Sequence, residues 1–169
     1  MQIYVSAYIY LQMNFYQEVG LLVFGTRLKR LSDYFLGEIN KVYADLNIDF
    51  EASWFGVFFL LDKHKSLSMY EIAETLEVSH SAISQLTKNL QDKNLLQITP
   101  STDDKRKKII ALTNEGRVLL EKIKPVWVAL EQTMTTLMAE NDVLKNLFKI
   151  EDGFNELALN ERIKSIMNV

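Results

Sequence analysis

A chain of 169 residues, 48% apolar and 24% charged, has room for one domain with a sizeable core and reads as an ordinary soluble globular protein. It has no cysteine, which excludes disulfides, thiol redox sensing and thiolate metal sites and agrees with a cytoplasmic location. The net charge of −3 excludes a global polycation, but six Lys or Arg against three Asp between Ser79 and Ile110 make a local +3, leaving −6 for the rest. A basic island on an acidic body suits binding to phosphate at one face only.

Two prolines and six glycines are few breakers, so long helices are expected. The first twelve residues, MQIYVSAYIYLQ, are apolar and uncharged. They are too short to span a bilayer and lack the basic start and cleavage site of a signal peptide. They read as an extra packing segment, in preference to membrane targeting, or as an extension ahead of a start at Met13. N-terminal sequencing of the native protein separates these readings.

Leu28, Leu31, Phe35, Ile39, Val42 and Leu46 recur at steps of three and four, which predicts one helix over 15–46. "EASWFGVFFLLDKH" (51–64) is apolar nearly all round and predicts a buried helix. In "SMYE" (68–71), Ser68 and Glu71 form a capping box that starts a short helix with Ile72, Ala73 and Leu76 inward. Glu77 and Val78 make a tight connection, and Ser79 caps the next helix. There Ala82, Ile83, Leu86 and Leu90 form the expected core stripe. Asn94, tolerant of the left-handed conformation, should end it.

The period then shortens. "LLQITP" (95–100) and "KKIIALT" (107–113) predict a β-hairpin around the polar tip "STDDKR". Thr113 can cap a long helix through Leu119, Ile123, Val126, Leu130, Met134 and Leu137, with Pro125 kinking it or breaking one hydrogen bond. A last helical region covers about 142–166, with a bend at Gly153. The fold class is therefore mainly α with a small β-hairpin wing, a winged helix-turn-helix.

The major groove of B-DNA admits one α-helix. A helix placed there must offer short hydrogen-bonding side chains outward and be anchored rigidly behind. Ser79, His80, Ser81, Ser84, Gln85, Thr87 and Lys88 supply the outward set. Residues near the helix N-terminus are those best placed to reach bases and phosphates. Lys105, Arg106, Lys107 and Lys108 at the hairpin can reach the backbone or adjoining minor groove. Asp104 is expected to hold Arg106 or a backbone amide in place and not to touch DNA.

These residues resemble the MarR family of transcriptional regulators, most strongly from Ser68 to Gly116. The family's wing carries Asp-x-Arg, then an apolar strand and "LT-x-x-G". Here that is Asp104-Lys105-Arg106 and "KKIIALTNEG". The resemblance implies that Arg106 enters the minor groove and that Asp104 orients it. Asn94 stands where the family usually has Gly, Ile98 where it often has Arg, and Ser101 and Thr102 where Asp-Pro is common. "GTRLKRLSDYF" (25–35) and "SWFGVFFLL" (53–61) are similar to the branch sometimes fused to an acetyltransferase, a domain for which this chain is too short. The implied organisation is a single MarR-like chain over 1–169. Its winged lobe covers 51–113, and dimerisation helices cover 14–47 and 114–167.

The expected function is a sequence-specific regulator that binds double-stranded DNA as a homodimer on a pseudo-palindromic operator. A small-molecule effector could act through a cleft drawing on Arg27, Trp54, Phe55 and Phe58, although core packing leads for most of these aromatics. His80 has only His64 as another histidine, so no metal and no cofactor are expected, and His80 reads as a DNA or phosphate contact. No Gly-rich phosphate loop or zincin motif points to an enzyme. The alternative is a winged-helix protein-interaction module without DNA binding, for which the acidic total and Ile98 leave room.

Overall fold

The structure, a computed structural model, describes residues 15–101 and 107–169. The N-terminal apolar stretch and the wing-tip residues Asp104, Lys105 and Arg106 lie outside the described residues. The chain divides into two compact units between Ile123 and Lys124.

In the first unit, residues 15–19 are helical, a 3-10 turn covers Gly20–Val23, and helix α1 covers Phe24–Asp45. The single helix expected from residue 15 is thus interrupted. Gly20 adopts φ +63°, a left-handed conformation that favours glycine and cannot continue an α-helix. The α1 end is sealed by Asn47, also at positive φ, and by the Ile48 amide donating to the Tyr43 carbonyl at 2.8 Å.

The chain then turns back on an aromatic cluster. Phe50 meets Tyr43, Trp54 and Phe58 edge-to-face, at centroid distances of 5.0, 5.5 and 5.1 Å. All four rings are buried. Such pairs add about 0.5–1.5 kcal/mol each beyond area burial. The Asn40 side-chain oxygen accepts the Ala52 amide at 2.7 Å and ties α1 to this segment.

Helix α2 (Phe55–His64) buries Val57, Phe58, Leu60 and Leu61. It is not buried all round, as its composition suggested. Phe55 and Phe59 remain 42% and 47% exposed, with rings 5.5 Å apart on one side. Their spacing of four places both on one face, one turn apart.

Strand β1 (Ser66–Ser68), helices α3 (Met69–Thr75) and α4 (His80–Asp92), strands β2 (Leu96–Pro100) and β3 (Lys108–Leu112), and helix α5 (Asn114–Met138) follow. The sheet order is β1-β3-β2, antiparallel throughout. Leu67 and Ile98 both pair with Ile110, which is fully buried in the central strand. The hairpin was expected, but β1 was not. Its three residues, Ser-Leu-Ser, are too few to show a period and become a strand by pairing with β3.

Thr113 joins the end of the α4 segment to the start of α5. Its hydroxyl donates to the Asn94 carbonyl at 2.7 Å and accepts the Gly116 amide at 3.0 Å, while its own amide donates to the Leu95 carbonyl at 3.1 Å. Asn94 holds φ +57°, the left-handed stop expected of it.

From Lys124 onward, the second unit comprises the rest of α5, then α6 (Val143–Glu156) and α7 (Leu159–Met167). Helix α5 runs through Pro125. The break in the last region falls at Leu157 and Ala158, both extended at ψ, and not at Gly153. The Gly153 carbonyl instead accepts from the Leu157 amide and the Arg162 guanidinium, which bind the two helices at their junction. Neither α6 nor α7 buries a residue, and Phe148, Phe154, Ile163 and Ile166 are exposed. No helix among the described residues is long and apolar enough to cross a membrane.

Candidate nucleic-acid interface

Ser68 starts α3 with a complete capping box. Its hydroxyl accepts the Glu71 amide at 3.2 Å, and the Glu71 carboxylate accepts the Ser68 amide at 2.7 Å. Hydrogen bonds from the Ser68 hydroxyl, then from its backbone, hold the Glu71 carboxyl below the usual carboxylate range, with Lys107 and His64 adding smaller downward pulls. Burial acts weakly the other way.

The turn between the two helices is short because Glu77 takes φ +53° and the Val78 amide donates back to the Ala73 carbonyl at 3.1 Å. Ser79 then sits extended at the N-cap of α4. Its hydroxyl accepts the Ala82 amide at 3.2 Å and lies 2.9 Å from the Ser81 hydroxyl.

Helix α4 has two distinct sides. Ile83, Thr87 and Leu90, at steps of four and three, are buried, and Leu86 is half-buried beside them. Burying Ile83 and Leu90 contributes about 1.5–3 kcal/mol for each side chain. Ser81, Ser84, Gln85 and Lys88 form an exposed stripe at the same helical spacing, with Ser79 and His80 exposed at its N-terminal end. Two assignments made from periodicity change places. Ala82 is exposed and not part of the core. Thr87, expected to touch DNA, is 0% exposed and its hydroxyl donates to the Ile83 carbonyl at 2.7 Å. Threonine can enter the core because a turn-back bond to a backbone carbonyl satisfies its only polar atom.

The far end of α4 is pinned by Lys93. Its ammonium lies 3.2 Å from the Asp49 carboxylate and 5.4 Å from the centre of the Trp54 ring. At the wing, the Ser101 amide donates to the Lys107 carbonyl at 2.8 Å, and Pro100 is in register with Lys108. Lys107 and Lys108 are both exposed. The expected contacts of Lys105 and Arg106, and the orienting role of Asp104, fall outside the described residues.

The residues expected to line an effector cleft separate. Trp54 and Phe58 belong to the buried aromatic cluster, because edge-to-face packing on Phe50 takes up both rings. Phe55 is half-exposed on α2 and Arg27 is exposed on α1. A concavity of about 440 Å³ in this unit is lined instead by Leu61, Asp62, Lys65, Leu112, Arg117, Leu120 and Glu121. No group of three or more His, Asp or Glu among the described residues could hold a metal ion.

One exposed residue of this surface is not marked by the sequence patterns. Tyr70, in the first turn of α3, is 58% exposed and its ring stands 5.3 Å from the imidazole of His80 at an interplanar angle of 35°. Its membership of the "SMYE" capping segment hides it. Only the packing of α3 on α4 brings the rings together.

The sequence model of the MarR family matches residues 48–107, from the segment before α2 to the wing. Over those residues the chain is similar to the MarR family. The chain is also similar to MdtR, an HTH-type transcriptional repressor of Bacillus subtilis, with 34% identity over 85 residues. That match covers 50% of this chain and 55% of the relative, so the chain spans about half the length of the curated relative it matches. CouR, a transcriptional repressor solved on a 23-mer DNA duplex, is 26% identical with a TM-score of 0.62, covering 78% of this chain and 91% of CouR. An S. aureus MepR–DNA complex and an E. coli MarR mutant complexed with operator DNA, each 20% identical, share the fold at TM-scores of 0.66 and 0.65. They cover 79% and 81% of this chain, and 97% and 96% of their own. The lobe that these proteins resemble is mainly helical with a three-stranded sheet.

Proposed function

We propose that this protein is a sequence-specific regulator of transcription that binds double-stranded DNA through the exposed side of α4 and its wing. The two-sidedness of α4 carries this reading. Ile83, Thr87 and Leu90 anchor it, while Ser81, Ser84, Gln85 and Lys88 are left together in solvent. A groove-reading helix needs that division between rigid anchoring and outward polar groups. The likeness to CouR, solved on DNA, supports the same reading.

The protein acts as a homodimer in this reading, with the 51–113 lobe on DNA and helices in 14–47 and 114–167 joining the copies. Leu28, Leu31 and Val42 on α1, and Phe148, Phe154, Ile163 and Ile166 on α6 and α7, are apolar and exposed in the single chain. Exposed apolar side chains grouped in this way are commonly covered in assemblies. A twofold pair places two α4 helices about one DNA turn apart, so the operator is pseudo-palindromic. A small molecule that favours one spacing of the lobes would shift affinity by its differential binding. The site is in the cytoplasm, where such an operator lies, and the protein is a binding protein and not an enzyme.

A gel-shift against DNA upstream of its own gene tests this. Gln85→Ala should mainly relax base preference. Arg106→Ala, which follows from the family's wing motif, should weaken specific and random DNA alike and lower the salt slope by about 1. Absence of binding by the parent chain even at low salt would leave the protein-interaction reading in place.

A further inference from the structure

We propose that Tyr70 is a positioning residue for DNA reading, holding the His80 imidazole so that its edge addresses a purine in the major groove. This rests on the DNA-binding reading of α4. Tyr70 lies on α3 and His80 is the first residue of α4, so the pair bridges the two helices of the helix-turn-helix on its exposed side. The rings lie 5.3 Å apart and tilted by 35°, so the Tyr70 ring packs beside the imidazole.

An exposed histidine at a helix N-terminus ordinarily samples several rotamers. Contact with the Tyr70 ring reduces that freedom and leaves the imidazole nitrogens as groups able to hydrogen-bond to DNA. The neighbouring Ser79 and Ser81 hydroxyls are 2.9 Å from each other and Ser79 also caps the Ala82 amide, so these two short side chains are already partly engaged locally. His80 is therefore the longest exposed group at the leading end of α4. A ring N–H directed into the major groove finds acceptors at purine N7, guanine O6 and thymine O4, and the purine N7 is the one that every base pair presents. Tyr70, at 58% exposure, buries little in the fold that would otherwise account for a large aromatic at this surface.

The experiment uses the full-length chain. Preferred sites are selected by the parent from a randomised duplex pool. The best site is then altered one base pair at a time, and binding is followed by fluorescence anisotropy at fixed salt. His80→Ala and Tyr70→Ala should each lose roughly tenfold discrimination at the same purine position of each half-site, and the double variant should lose no more than either alone. Tyr70→Phe, which keeps the ring, should restore the discrimination lost in Tyr70→Ala. Circular dichroism melts of the variants should match the parent, since both side chains are exposed.

Equal discrimination by parent and Tyr70→Ala overturns the proposal, as do additive losses at different base pairs. A Tyr70→Phe variant as defective as Tyr70→Ala also overturns it, because the ring would then not be what matters. If the parent itself selects no site and binds no duplex at low salt, the DNA-binding reading fails and this inference falls with it.

Discussion

Gly116 lies directly against the carbonyl oxygen of Leu95: a Cβ added to it would stand 2.1 Å from that atom. The same carbonyl accepts the Thr113 amide, so it cannot swing aside without opening the joint between β2 and α5. The glycine of the "LT-x-x-G" pattern is needed here for space, since backbone and not a flexible side chain is the obstacle.

Gly116→Ala should therefore destabilise the protein by about 3 kcal/mol, as overpacking against fixed backbone does. Urea unfolding should show a lower midpoint with an unchanged slope. A midpoint equal to that of the parent would mean that the joint yields more easily than its hydrogen bonds suggest.

Thr87 is buried and Ser84 exposed on α4, so the two should respond differently to the same change. Thr87→Asp places a charge in the core and should cost about 3 kcal/mol or more of stability. Ser84→Asp should leave stability within about 0.5 kcal/mol of the parent and weaken DNA binding roughly tenfold at low salt, through repulsion by phosphate. Melting curves and binding isotherms of the two variants, taken together, check the assignment of both faces.

Lys93 links α4 to the segment after α1 through Asp49 and the Trp54 ring. The ion pair is largely solvated and should contribute under about 1 kcal/mol, and the ring contact a similar amount. Lys93→Ala should thus lower stability by about 1 kcal/mol. Asp49→Ala should lower it less, and its effect should shrink in high salt. Equal losses from both substitutions would mean that the ring contact is idle.

The capping box gives a pH dependence with a definite sign. The folded carboxyl of Glu71 titrates below its ordinary value of 4.5, so its contribution is complete above that value. It is lost as pH falls through the lower folded value. The unfolding midpoint of the parent should exceed that of Glu71→Gln at neutral pH, and the gap should close in acid. A gap that widens on acidification would contradict the assignment.

Caps and stop signals were legible in the sequence because each depends on one or two neighbouring residues. Ser68 with Glu71, Ser79, Asn94 and Thr113 all act where local chemistry placed them. What misled was periodicity read as a strict polarity rule. Thr87 is polar by composition but enters the core by bonding its own helix, and Ala82 is apolar yet small enough to stay in solvent at little cost. Strand β1 and the Tyr70–His80 contact had no local signature, since both arise when distant segments meet. Trp54 and Phe58 could not be assigned between cleft and core until Phe50 was seen between them.

The threefold bonding of Thr113 has a mechanical corollary. Asn94, Leu95 and Gly116 are stitched to one side chain and its amide, so the tail of α4 and the head of α5 turn as a single lever. A small rotation of that lever would swing the outward stripe of α4 through an arc without bending any helix, which makes Thr113→Val the substitution most suited to slackening the linkage while leaving every exposed side chain of α4 unchanged.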